Sequence, residues 1–304
     1  MSPVSSHGWR IALLTVSADV VNGFHHVLRE RGHELVAIVL PPGPDGSRPR
    51  HPAAWAPMMN VLQAAPPGAD VLIAGQRDRL APLLASARPD LLLSFFFPWR
   101  VRPEALAVAP LGAVNVHPSL LPRYRGPNPL GWTLRNHEPE VGMTLHRMDA
   151  TFDTGPVLIQ GTRPIDDSDS AEDVVRKVME LSMELLPEAL SRVQWRDEGE
   201  TQSNAEASYA GMFEDSYREL DWNAPAREVH LRVRACAVSS WRGVPRVAYA
   251  SLEGRRVHIQ RTRLAEEQTG DTAVPGTVLD RRGEMRLVRC GDGPLWVTPG
   301  SLDP

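Results

Sequence analysis

Only two cysteines, Cys236 and Cys290, occur in 304 residues. So few thiols exclude a disulfide-built scaffold. No secretory leader is evident in the short polar start from Met1 to Trp9, so reduced thiols and a cytoplasmic location are expected. No apolar run approaches the roughly 20 residues of a membrane helix, and no membrane association is expected. No Gly-x-Gly-x-x-Gly follows the first apolar segment, which continues Thr15-Val16-Ser17-Ala18-Asp19. A dinucleotide site built on close glycine approach to a pyrophosphate is thereby disfavoured. His25-His26 and His137-Glu138 lack partners at metal-ligand spacing, so no metal is expected. Nor is the charge strongly one-sided: the net is -4, with 23% charged and 42% hydrophobic residues, as in an ordinary globular protein.

The length exceeds the commonest single-domain size and suggests two domains. Residues 9–16, 34–40, 70–74 and 90–97 are short apolar runs of strand type, with helical spacing over 20–31 and 80–87. Strands alternating with helices predict an α/β fold: a Rossmann-like, mostly parallel sheet covered by helices on both faces. Residues 111–116 form a further buried strand, and 143–148 and 157–165 later ones. A Pro/Gly-rich loop follows the second strand as far as Pro52. Residues 170–192 read as a long helix with acids in its first turn. The chain turns polar over 197–223, as a linker would. A helix at 228–236 and short strands at 246–252, 256–263, 276–279, 285–290 and 295–298 then predict a small β-barrel. From Ala226 to Pro304 there are 13 Arg against 9 acidic residues, so this mildly basic part could meet an anionic acceptor.

The most informative stretch is Asn115-Val116-His117-Pro118-Ser119-Leu120-Leu121-Pro122-Arg123-Tyr124-Arg125-Gly126. It is answered by Asp149-Ala150-Thr151-Phe152-Asp153-Thr154-Gly155-Pro156. A spacing of two in extended chain puts Asn115 and His117 on one face, at the carboxyl end of a strand where parallel sheets bind ligands. Asp153 comes from a loop able to bend back toward them. Amide, imidazole and carboxylate together can hold an oxyanion and move protons.

Asn-x-His-Pro-Ser-Leu-Leu-Pro-x-x-x-Gly followed by Asp-x-x-x-Asp-Thr-Gly strongly resembles the folate-dependent formyltransferases, the group that includes methionyl-tRNA formyltransferase and the sugar N-formyltransferases. The resemblance implies 10-formyltetrahydrofolate as co-substrate, released as tetrahydrofolate, and an amine as acceptor. It implies Asn115 as oxyanion donor, His117 in proton transfer, and Asp153 as the carboxylate that orients His117 and takes the amine proton. Ser119, Leu120, Leu121 and Pro122 would form a stiff loop under the folate. Trp99, Arg100 and Val101, with Asp149, would wall the pterin pocket, largely through backbone. Arg123 and Arg125 could meet the folate tail or an acceptor phosphate.

Arg218-Glu219-Leu220-Asp221-Trp222 and Pro275-Gly276-Thr277-Val278 resemble landmarks of the OB-like domain that follows the catalytic domain in methionyl-tRNA formyltransferase. The expected division is a catalytic domain over 1–196, a linker over 197–223 and an OB-like domain over 224–304. The loop ending at Pro52 holds only Arg48 and Arg50 against Asp45, where the tRNA enzymes carry a dense basic loop. That departure points to a small or carrier-tethered aminoacyl acceptor in a specialised pathway. Initiator methionyl-tRNA is the alternative, and hydrolysis of 10-formyltetrahydrofolate a further one.

Overall fold

Short apolar runs make the strands of this α/β protein, seen in a computed structural model that describes residues 8–41, 55–239, 247–265 and 272–300. One sheet holds β1 (Arg10–Leu14), β2 (Glu34–Leu40), β3 (Asp70–Ile73), β4 (Leu91–Phe95), β5 (Ala113–His117), β6 (Glu140–Arg147) and β7 (Val157–Pro164). Their order is β3-β2-β1-β4-β5-β6-β7. The first five pair in parallel, and β6 turns antiparallel against β5. β4 is buried at every residue and β2 at every residue but its first. Burial of both faces explains why these strands read as continuous apolar runs rather than alternating ones. The strand order reverses between β1 and β4, which places the ligand crevice at the carboxyl ends of the central strands, with β5 next to β4.

Helices supply the cover. In α1 (Ala18–Glu30), the Ser17 side chain accepts the Val20 N–H, and Val20, Val21, Phe24, Val27 and Leu28 form the buried stripe. The others are α2 (Ala56–Ala64), α3 (Leu80–Ala87), α4 (Pro103–Leu106), α5 (Pro129–Arg135), α6 (Ala171–Gln194) and α7 (Ala226–Val238). No helix among the described residues is long and apolar enough to cross a membrane.

A second, antiparallel sheet has the order β10-β11-β12-β9-β8. Its strands are β8 (Ala248–Leu252), β9 (Arg255–Leu264), β10 (Val278–Arg282), β11 (Met285–Arg289) and β12 (Pro294–Gly300). With α7 it encloses a core that includes Trp222, Val229, Ile259 and Leu295. Cys236 and Cys290 lie buried in that core as free thiols, and burial pushes each thiol pKa up to about 12. They behave as small apolar side chains there.

Compactness does not follow one cut in the sequence. One unit comprises 1–126, 142–163 and 178–209; the other comprises 127–141, 164–177 and 210–304. Residues 127–141 lie inside the expected catalytic domain of 1–196, yet pack with the C-terminal part: α5 against α7. Both motif segments, 115–126 and 149–155, belong to the first unit.

Candidate active site

β5 ends at His117, and its register against β6 pairs Asn115 with His146 and His117 with Thr144. The alternation of strand side chains then brings Asn115, His117 and His146 toward one carboxylate, Asp153. Asp153 stands in the loop between β6 and β7 in a left-handed conformation, φ 56°, uncommon for a residue other than glycine. The turn depends on Gly155, where a Cβ would lie 1.9 Å from the Arg147 carbonyl oxygen.

The Asp153 carboxylate is 7% exposed and divides its two oxygens. Oδ2 accepts the Gly126 N–H at 2.8 Å. Oδ1 lies 3.4 Å from Asn115 Nδ2, 3.5 Å from His117 Nδ1 and 3.8 Å from His146 Nε2. The three residues singled out in the sequence therefore meet at one point. His146 joins them, and sequence reasoning missed it. His146 lies opposite Asn115 only through the antiparallel pairing of β6 with β5, which the structure shows.

Carbonyl partners fix the imidazoles, because a carbonyl can only accept. His146 Nδ1 donates to the Arg147 carbonyl at 2.8 Å, so its Nε2 accepts from Asn115 Nδ2 at 3.2 Å. Burial lowers the His146 pKa to about 4; the nearby Asp153 opposes this and His117 adds to it. His146 is thus neutral near pH 7. His117 Nε2 donates to the Tyr124 carbonyl at 2.9 Å, which leaves Nδ1 toward Asp153. The arrangement is a buried imidazole–carboxylate contact beside an oriented amide.

The loop after β5 is stitched to the sheet. Ser119 Oγ donates to the Arg123 carbonyl at 2.7 Å, and Thr144 Oγ1 donates to the Ser119 carbonyl at 2.6 Å. Leu121 N–H donates to Thr144 Oγ1, and Gln160 Nε2 donates to the Leu121 carbonyl. The Leu121–Pro122 peptide is cis. Ser119 and Leu121 are buried, Leu120 and Pro122 half-buried.

Trp99 and Val101 pack into the apolar core, leaving backbone as what they can offer a ligand, while Arg100 is exposed. The Asp149 carboxylate holds its own loop, accepting from Thr151 N–H at 2.9 Å and Thr154 Oγ1 at 2.8 Å. Arg125 is bound within the protein by Gln202 and Asn204. The loop with Arg48 and Arg50 lies outside the described residues.

Residues 10–190 match the family model described as formyl transferase, and residues 214–302 the one described as formyl transferase, C-terminal domain. The chain is 35% identical to methionyl-tRNA formyltransferase of Pelobacter propionicus over 276 residues, covering 89% of this chain and 82% of that protein. It is 33% identical to the enzyme of the same name from Anaeromyxobacter dehalogenans strain 2CP-C over 294 residues, 93% of this chain and 89% of that one. Among solved structures, HypX from Aquifex aeolicus in complex with tetrahydrofolic acid superposes with a TM-score of 0.72 at 22% identity, covering 95% of this chain and 43% of that one. The present chain thus spans less than half of HypX. The Helicobacter canadensis N-formyltransferase in complex with folinic acid and dTDP-3-aminofucose gives a TM-score of 0.65 at 18% identity, covering 96% of this chain and 100% of that one. At these identities the structural matches establish the fold.

Proposed function

The chain belongs to the formyltransferase family, and on that basis we propose that it moves a formyl group from 10-formyltetrahydrofolate to the amine of an aminoacyl group tethered to a carrier, at the Asn115–His117–Asp153 cluster. The observation that carries the chemistry is the convergence of an amide and two imidazoles on the Asp153 carboxylate at Oδ1.

That donor set suits a formyl donor. 10-Formyltetrahydrofolate supplies an acyl carbon, so the protein must stabilise negative charge on the formyl oxygen and remove one proton from the amine. Neither task needs a covalent enzyme intermediate, and Ser119, the hydroxyl within the motif, is tied to the Arg123 carbonyl. Asn115 Nδ2 is the oxyanion donor. Its bond to His146 Nε2 orients the amide, and its longer 3.4 Å approach to Asp153 Oδ1 is the one given up to the formyl oxygen. Such a donor contributes about 2.7–4 kcal/mol to lowering a barrier of this type. Asp153 receives the amine proton, directly or through His117 Nδ1, and passes it to the folate N10 as the bond from N10 to the formyl carbon breaks, releasing tetrahydrofolate, while the Gly126 N–H and the Tyr124 carbonyl keep carboxylate and imidazole in place.

A carrier-tethered aminoacyl group is favoured over a free small amine by the second matched domain over residues 214–302. Its sheet carries exposed Arg255, Arg256 and Arg263, cations suited to a polyanionic carrier, beside Arg261, Arg281 and Arg282, which pair with Glu172, Glu253 and Asp280. Methionyl-tRNA, the acceptor named in the relatives, is the first carrier to test. The test is an acceptor screen with 10-formyltetrahydrofolate, following new formyl amides by mass. Methionyl-tRNA, aminoacyl groups on a phosphopantetheine carrier, free amino acids and nucleotide amino sugars are compared. Formylation of either carrier-bound form supports the proposal. Formylation of free amines alone would overturn the acceptor, and formate release without any formyl amide would overturn transfer.

A further inference from the structure

We propose that Gln202, in the polar stretch after α6, is a positioning residue for Asp153. The proposal rests on the reading of Asp153 as the proton acceptor, and concerns what holds that carboxylate in place.

Gln202 is half-buried and makes four hydrogen bonds within the protein. Its Nε2 donates to the carbonyls of Asp153 at 3.0 Å and Gly155 at 2.7 Å. Its Oε1 accepts from Arg125 Nε at 3.1 Å and Nη2 at 2.8 Å. The orientation of the amide follows from the partners: two carbonyls demand the NH₂, and a guanidinium demands the oxygen.

These contacts close a ring. From Gln202 the path runs to the Asp153 backbone, through the Asp153 side chain to the Gly126 N–H, back one residue to Arg125, and across to Gln202. Asp153 is therefore gripped at both ends, by its carbonyl and by Oδ2. That grip maintains a left-handed backbone at a residue with a Cβ, and so fixes where Oδ1 points. The surrounding chain supports the same joint. Glu200 and Val157 exchange backbone hydrogen bonds at 2.8 Å, Arg125 N–H donates to the Ser208 carbonyl at 2.9 Å, and Tyr124 N–H donates to Ser208 Oγ at 2.8 Å. Gly126, at φ 108°, allows this approach, because a Cβ there would lie 2.6 Å from the Tyr209 ring. The segment 200–209 thus forms part of the catalytic unit, and Gln202 couples the two sequence motifs through Arg125.

The experiment uses Gln202→Leu, which keeps the volume and removes all four hydrogen bonds, alongside Asp153→Asn and the double variant. Formyl transfer to methionyl-tRNA, or to the acceptor the screen returns, is measured under single-turnover conditions with the full chain. Circular dichroism and the urea midpoint check folding. Displacement of a reacting group by a fraction of an ångström to 1 Å predicts a rate loss on the order of 10- to 100-fold in Gln202→Leu. KM for 10-formyltetrahydrofolate should change less than twofold, and the acid limb of the pH profile should shift. In the Asp153→Asn background the same substitution should cost little more. A Gln202→Leu enzyme with the wild-type rate and pH profile, or losses that multiply fully in the double variant, would overturn the inference. Where Asp153→Asn leaves no readable rate, the pH profile of Gln202→Leu decides alone. Near-normal transfer by Asp153→Asn would instead overturn the underlying reading of the site.

Discussion

Replacing His146 by Met should flatten the pH dependence of stability on the acid side. The imidazole is buried beside Asp153 and His117, and burial is the largest cause of its depressed pKa of about 4 against an ordinary 6.5. The folded state therefore favours the neutral ring, while the unfolded chain takes up a proton more readily. Stability held this way is present in full above pH 6.5 and is lost as the pH falls through 6.5 toward 4. From the two pKa values, the loss between pH 7 and pH 5 is about 2 kcal/mol, as an order of magnitude. His146→Met removes that dependence, even though it also deprives Asn115 Nδ2 of one of its two acceptors and lowers stability at every pH. Urea unfolding followed by tryptophan fluorescence at pH 5, 6, 7 and 8 measures both effects. His230, buried and likewise lowered to about 4, titrates in both proteins and cancels in the difference. Equal losses between pH 7 and pH 5 in wild type and variant would refute the reasoning.

Other substitutions separate chemistry from packing. Asn115→Ala should lower kcat about 10²- to 10³-fold, as loss of one oxyanion donor does, with far-ultraviolet circular dichroism unchanged. Gly155→Ala should destabilise the protein by about 1–3 kcal/mol and lower turnover, because its Cβ meets backbone rather than a side chain that can swing away; calorimetry and a rate assay read the two effects. Arg227→Ala breaks an exposed fork on Asp167, with contacts of 2.8 and 3.0 Å, and should change stability by less than about 1 kcal/mol. A larger change in the melting temperature would mean that this pair is worth more than its exposure suggests.

Much of the architecture was legible because both sheets announce themselves in short apolar runs. The strand expected over 34–40 is β2 to the residue, and the helix over 80–87 is α3. A spacing of two and a bending loop make Asn115, His117 and Asp153 candidates, both local properties, and the resemblance to the formyltransferases joins them into one site. His146 needed knowledge of which strand pairs with β5, a non-local fact that composition does not carry. Gln202 was hidden for a different reason. A segment whose polar side chains bind backbone in a site has the composition of a solvated linker, so residues 197–223 read as a connection. Arg125 likewise looked free for an anionic ligand, because only the fold shows its guanidinium on Gln202 and Asn204.

The interleaved packing bears on how such proteins can diversify. The Asn128 N–H donates to the Ala210 carbonyl at 3.0 Å, and the Trp132 indole donates to the Gly211 carbonyl at 2.7 Å. Both partners of α5 here lie downstream of residue 209, while α5 itself is encoded between the two sequence motifs, 115–126 and 149–156. A gene fusion that exchanged everything after residue 209 for a foreign tail would therefore leave α5 facing unfamiliar neighbours. The C-terminal part therefore shares its packing with residues 127–141, and an exchange that keeps both is expected to fold better than one that replaces the tail alone.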